Sequence, residues 1–378
     1  MVQAGDKTPD CTIFLYIMKG IAMGTIKSFL KRKNIVISAK RYGVDALGAM
    51  AQGLFCSLLI GTIIKTLGQQ LGVQFLVDIG TYAAAMSGSA MAVAIGYALN
   101  ADPMVMYSLA AVGWAANAEG GAGGPMAVLI IAIVAAEFGK MVSKETKVDI
   151  LVTPAVTILV GVALAKLIAP PIGSAAQAFG AVIDQATKLQ PFWMGIAVSV
   201  LVGISLTLPI SSAAICHVLG LTGLAGGAAV AGCCANMVGF AVLSFRENRW
   251  GGLVSQGIGT SMLQMPNIVR NPRIWLPAIL TSAITGPLAT CVFGLEMNGE
   301  PVSSGMGTCG LVGQIGVITG WLAPGEKALA NGAVAIVPDA MDWIGLILIS
   351  FVLPAVLCPL FGLFFRRIGW IKDGDLKL

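Results

Sequence analysis

Charge is scarce in this sequence: 23 Lys and Arg and 18 Asp and Glu make up only 11% of 378 residues, against about 25% in an ordinary soluble domain. With 57% hydrophobic residues and a mean hydropathy of +0.87, that scarcity excludes a soluble globular protein, a disordered chain and a coiled coil together. Histidine occurs once, at position 217, so neither a His/Cys metal cluster nor another metal centre is expected, and no cofactor is implied. The eight cysteines contain no CxxC pair and lie mostly in apolar runs, which reads as small buried side chains in a reducing compartment. No short apolar core followed by a small-residue cleavage site opens the chain, so no signal peptide is expected. The net charge of +5 does not point to nucleic acid, because the basic residues gather at the margins of apolar segments.

What is abundant is apolar sequence broken by small residues. The 48 Gly and 17 Pro suit a bundle whose helices pack closely or break within it. A spanning helix needs roughly 20 apolar residues, and the ranges 42–67, 75–99, 150–168, 192–208, 225–245, 274–293 and 343–365 approach or exceed that length. Shorter runs at 104–118, 126–138 and 210–224 are half-helix candidates. Lys and Arg cluster at 7–41, 140–147, 246–273 and 366–377, and the bias of such residues towards the cytoplasm places all four clusters inside. Parity between the clusters then makes 104–118, 126–138 and 210–224 crossings. The fold expected is an all-α polytopic membrane protein with about ten transmembrane helices, a re-entrant element at 294–322, and both termini cytoplasmic. Residues 1–41 form a cytoplasmic amphipathic segment, with 11–30 suited to an anionic inner leaflet or to topological anchoring. Residues 42–365 form the membrane domain and 366–378 a cytoplasmic tail. The stretch 170–191, with Pro170 and Pro171, reads as an outer surface connection, and 246–273 as a short amphipathic helix and loop.

Ionisable residues inside apolar segments cost at least ~2.5–3.5 kcal/mol each, which makes them the first functional candidates. Glu137 and Lys166 sit near predicted helix ends, where they are expected to snorkel. The run from Gly294 to Gly310 is the most informative: it sets Glu296, Asn298, Glu300 and three hydroxyl side chains among glycines between apolar helices. Carboxylates and amides there suit a polar, hydroxyl-rich ligand; the alternative is an exposed outer loop. Asn117 and Glu119, beside the Gly120–Gly124 run, form a second polar island or a flexible connection. His217, on the short arm after Pro209, either handles substrate or is satisfied by a neighbouring carbonyl. The GxGxxM pattern at 257–262 lacks the preceding strand of a dinucleotide fold, so a nucleotide site is discarded in favour of a lining for the inner mouth of a pathway.

The runs Met265-Pro266-Asn267-Ile268-Val269-Arg270-Asn271-Pro272, Thr285-Gly286-Pro287-Leu288 and Gly305-Met306-Gly307-Thr308-Cys309-Gly310-Leu311-Val312-Gly313 resemble the enzyme IIC permeases of the bacterial phosphotransferase system, in a stand-alone branch that includes perfringolysin-regulator-like proteins. The resemblance covers about residues 40–365. It implies a homodimer in the bacterial plasma membrane, a scaffold part and a moving substrate-carrying part, and a hairpin Glu on the sugar, here Glu296 or Glu300, with His217 nearby. Separate IIA and IIB phosphocarriers are the implied partners, since no such domain is seen in these residues. Two other functions fit the sequence: a permease-derived membrane sensor that regulates gene expression, and an ion-coupled secondary transporter.

Overall fold

The computed structural model describes residues 28–378. The expected interfacial helix over 11–30 therefore lies almost wholly outside the described residues, as does most of the 1–41 segment. Regular structure among the described residues is helical, apart from one isolated antiparallel bridge between Gly223 and Met297.

Helix α1 (Arg41–Leu71) runs away from the first basic cluster, and the chain returns through α2 (Gln74–Ala85) and α3 (Ser87–Ala98), which meet at a bend of 48°. Helices α4 (Pro103–Gly120) and α5 (Gly124–Val142) follow almost without interruption. Together they form one apolar stretch of 40 residues, but Ser143 Oγ donates to Asp102 Oδ2 at 2.9 Å. The two ends of that stretch therefore touch, and it is a hairpin. Its reversal falls at Gly121, whose φ of +50° suits glycine. Helix α6 (Asp149–Thr187) then runs for 39 residues, about 58 Å at 1.5 Å per residue. That exceeds a bilayer core of ~30 Å, so α6 must tilt, bend or project beyond it.

The second half is ordered by close backbone approach. Ser199 on α7 (Pro191–Thr207) lies against Gly232 on α9 (Gly223–Leu243), where a Cβ would fall 1.8 Å from the Ser199 carbonyl oxygen. Further along, Thr207 Oγ1 bonds Asn236 Oδ1 at 3.2 Å. The matched positions advance together, so α7 and α9 run parallel, and the segment between them must carry the chain back. It does so with only eight helical residues, α8 (Ser212–Leu219), ended by Gly220 at φ +61°. At about 12 Å α8 is a half-helix, which corrects the expectation of a full crossing at 210–224. Helix α10 (Pro272–Val292) is antiparallel to α7, with Ser199 Oγ donating to Ser282 O at 2.8 Å and Gly195 packed on Gly286. The last long helix, α12 (Ala340–Arg367), runs parallel to α9, since Gly239 meets Cys358 and Gly362 meets Leu243.

Among the described residues, six helices, or seven with the bent pair, are long and apolar enough to cross a membrane. The 40-residue stretch counts there as one helix, although α4 and α5 are separate arms, and α7 and α8 are shorter apolar helices. A second correction concerns 170–191: the chain is helical through Pro170 and Pro171 to Thr187, so most of the expected connection belongs to α6. The buried residues Gly161, Ala165, Ala169, Gly173, Ala176 and Gly180 keep one small-residue stripe on its packed face through both prolines.

The described parts of the basic clusters gather at one end. Lys140 Nζ donates to Leu99 O at 3.0 Å, Asn271 Nδ2 to Trp370 O at 2.9 Å, and Asp45, Tyr97, Arg270 and Lys377 share one cavity wall. Burial at Asp102 opposes ionisation, yet hydrogen bonds from Lys144 and Ser143 outweigh it and hold the carboxyl below its ordinary value. Glu137 does not snorkel: it is 9% exposed, bonded by the Tyr42 hydroxyl at 3.0 Å and paired with Lys140 at 2.9 Å.

Candidate functional site

Residues 295–322 enter and leave at the end opposite the basic clusters. Met297 and Gly223 exchange two backbone hydrogen bonds (3.0 and 3.1 Å) at the start of α9, which fixes the point of entry. Moving inward, Ser304 Oγ donates to Leu221 O at 2.7 Å, Gly307 packs on Cys233, and Thr308 Oγ1 reaches Met237 Sδ at 3.6 Å. The segment thus descends beside α9 from residue 223 to residue 237, about 21 Å along a helix. It returns through α11 (Val312–Leu322) to Gly325, whose N–H donates to Asn298 O at 2.8 Å. This is the expected re-entrant element. Its non-helical backbone is tolerated at that depth because protein buries residues 303–309, with Ser304 and Thr308 wholly enclosed, while Leu311 at the tip is exposed.

The expected carboxylates stand at its mouth. Asn298 is 6% exposed, and its side chain links two elements: Nδ2 donates to Glu296 Oε2 at 2.8 Å and Oδ1 accepts from Gly223 N at 3.1 Å. Gly223 has φ +62°, a conformation that favours glycine. Glu296 and Asn298 line a cleft of about 310 Å³ with Thr222, Asn331 and Ile336, within the range of small-molecule sites. Asn331 Nδ2 donates to Thr222 Oγ1 at 3.2 Å across its wall. Glu300 is exposed beside Gly325, and among the described residues its carboxylate takes no hydrogen bond or ion pair. The cleft thus offers the Glu296 carboxylate, oriented by Asn298, as an acceptor suited to vicinal hydroxyls, while Glu300 stands outside its lining.

The other candidates fall elsewhere. His217 is exposed at the end of α8; its carbonyl, not its ring, accepts from Lys327 Nζ at 2.9 Å, and Ala328 next to that lysine belongs to the cleft wall. His217 is therefore a neighbour of the cleft. Asn117 packs between Gly88 and Gly124, and Glu119 pairs with Lys166 of α6, so the second polar island is part of the α4–α5 turn and does not line the cleft. The turn does meet α8, because Ser211 N donates to Ala122 O at 2.8 Å. Sequence reasoning missed Thr222 and Asn331. The dipeptides Thr222-Gly223 and Asn331-Gly332 mark turns, but not that two turns over a hundred residues apart share a wall. No group of three or more possible metal ligands occurs among the described residues.

A multi-pass helical membrane protein with half-helices and a re-entrant hairpin that ends in a polar cleft belongs to the class of transporter-like folds. The profile of the family described as "Phosphotransferase system, EIIC" matches residues 44–378, and the chain belongs to that family. Neither the comparison with curated proteins nor that with solved structures returned a match.

Proposed function

We propose that this chain is the membrane-embedded permease subunit of a phosphoenolpyruvate-dependent sugar phosphotransferase system. It binds a sugar and carries it across the bacterial plasma membrane for phosphorylation by separate IIA and IIB proteins. The observation that carries the reading is the pair of exposed carboxylates, Glu296 and Glu300, flanking buried Asn298 at the mouth of a hairpin that reaches deep beside α9. Family membership supports the phosphotransferase context. The gathering of the basic clusters at the opposite end supports a cytoplasmic placement of that end and of both termini. The small-residue helix faces and the family resemblance support a homodimer.

The test is uptake into proteoliposomes with and without purified IIA and IIB proteins. Glu296→Gln and Glu300→Gln each keep size and one acceptor while removing the charge. A charged hydrogen bond contributes roughly 1.5–3 kcal/mol, so losing one should weaken sugar affinity about 10- to 150-fold. Asp184→Asn, exposed near the end of α6, serves as the control. If both glutamine variants bind and transport as the parent does, the carboxylates belong to an ordinary loop and the reading fails.

A further inference from the structure

The segment 370–378 is held against the basic end by side-chain amides that grip its main chain. Asn248 Nδ2 and Gln264 Nε2 both donate to Leu376 O, at 2.8 and 3.0 Å, and Asn267 Nδ2 donates to Lys377 O at 2.9 Å. Leu378 N donates back to Asn248 Oδ1 at 2.9 Å, and Asn271 Nδ2 holds both Trp370 O and the Asp375 carboxylate at 2.9 Å. Leu376 is fully buried and Ile371 is 2% exposed, in the same apolar core as Met262, Met265 and Ile268.

Behind this latch the polar chain continues inward. Gln264 donates to Gln256 Oε1 at 2.9 Å and Gln256 to Ser244 Oγ at 2.8 Å, all three fully buried. Thr260 and Met262, on the loop that joins Gln256 to Gln264, line a small cavity with Met306 and Cys309 of the re-entrant tip. A buried row of amides leading from a basic end towards a re-entrant tip has no packing advantage over apolar side chains, and each amide is costly if left unpaired. Peptide carbonyls and water are interchangeable partners for such groups, so the row stays satisfied whether the segment is seated or water replaces it.

We propose that residues 370–378 act as a strap that seals the inner mouth of the permeation pathway, and that the amides Asn248, Gln264 and Asn267 are its release catch. Seated, the strap supplies carbonyls to the catch and Leu376 to the core. Released, it leaves a hydrated polar vestibule between the basic end and the re-entrant tip. Its part in transport rests on the permease reading above; its part as a water barrier does not.

The barrier is tested by Ser244→Cys, a near-isosteric change three hydrogen bonds behind Leu376, labelled with a charged, bilayer-impermeant thiol reagent and compared with the parent for background from native cysteines. With the strap seated the thiol reacts slowly. Combining it with Gln264→Ala and Asn267→Ala, or with removal of residues 371–378, should speed labelling about ten-fold or more, as expected when a local closed state loses its latch. Helical circular dichroism checks that the fold persists. Should the shortened or amide-depleted protein lose helix, Ser244→Cys with Leu376→Asp decides, since it disturbs only the seating of one side chain. Labelling unchanged in the folded variants overturns the strap. Faster labelling with no sugar uptake in any variant, parent included, would sustain the barrier and refute the permease reading.

Discussion

Gly227→Ala is the sharpest test of how the re-entrant segment is seated. Gly227 lies one turn into α9, and a Cβ built there would fall 1.7 Å from the carbonyl oxygen of Leu295, the residue before Glu296. Real Cβ contacts essentially never close below 3.0 Å, so the methyl group must drive α9 and the start of the segment apart by more than about 1.3 Å. The obstructing atom is backbone and is pinned from both sides: Leu295 N donates to Ala289 O at 2.8 Å, and Met297 is bridged to Gly223. Neither partner has a rotamer with which to yield. Overpacking a tight site costs ~1–3 kcal/mol, and a backbone-to-backbone clash belongs at the upper end. Near ~3 kcal/mol, a chain of this size should lose about 4 °C in melting temperature.

The same displacement separates Asn298 from Gly223 N, so ligand affinity should fall along with stability. Gly226→Ala meets Ser304 Oγ at 3.0 Å and Met297 Cβ and O at 3.1 Å, far milder approaches, and should cost less; Gly251→Ala meets nothing within 4 Å and should unfold as the parent does. Thermal unfolding of the three detergent-solubilised variants gives the ranking. A Gly227→Ala protein as stable as Gly251→Ala would refute the close approach of Leu295 to α9, and with it the seating of the hairpin mouth.

Asn236→Ala should destabilise by about 1–3 kcal/mol, because Asn236 accepts from Trp275 Nε1 and Thr207 Oγ1 and donates to Gly232 O and Ser282 Oγ; an unchanged thermal midpoint would show that the network is not needed there. Asp102→Asn should show a small loss, under ~1 kcal/mol since Lys144 is exposed and screened. Because the folded carboxyl is held below its ordinary value, this stabilisation is full above the unfolded value of about 3.9 and disappears as pH falls through the folded one. The gap between Asp102→Asn and parent should therefore be constant from neutral pH down to about 5 and close below about 4, as read by melting temperature across pH. A gap that widens on acidification would reverse the assigned sign. Lys166→Ala should leave uptake intact while freeing Glu119, since that pair lies outside the cleft; a lost uptake would return the second polar island to the site.

Directional reversals were legible in this sequence because they are marked by charge and glycine. Basic clusters spaced along an apolar chain leave little choice about which ends meet, and Gly121 and the glycines at 294–310 announce the two tightest returns. Helix length was less legible. Pro170 and Pro171 suggest a break, yet small residues recur on one face from Gly161 to Gly180, a periodicity that outlasts the prolines. The extent of α8 is set by Gly220 and by its contact with the hairpin, where Ser212 Oγ donates to Gly305 O at 2.7 Å. No local pattern carries that contact. Glu137 reads as a helix-end residue until tertiary packing brings Tyr42 and Lys140 to it, and Thr222 gains meaning only from Asn331.

Hydrogen-bond accounting separates the fixed interior from the parts able to change partners. Where α7, α9 and α10 cross, the polar groups are closed on one another: Thr207 bonds Ser261 at 2.7 Å as well as Asn236, and Ser199 bonds Ser282 O. Backbone approaches at Gly195, Gly232 and Gly286 leave no room for a ligand or for water there. Water or a hydroxyl ligand gains nothing by entering such a place, because it would have to displace satisfied bonds between immobile atoms. At the hairpin mouth the balance is reversed: Glu296 has one partner and lines the cleft, and Glu300, exposed outside that cleft, has none among the described residues. At the basic end the amide row is satisfied by a segment that other acceptors can replace. The hairpin mouth and the amide row thus lie on opposite sides of a locked crossing, and a solute passing between them requires the hairpin and α8 to move against α7, α9 and α10.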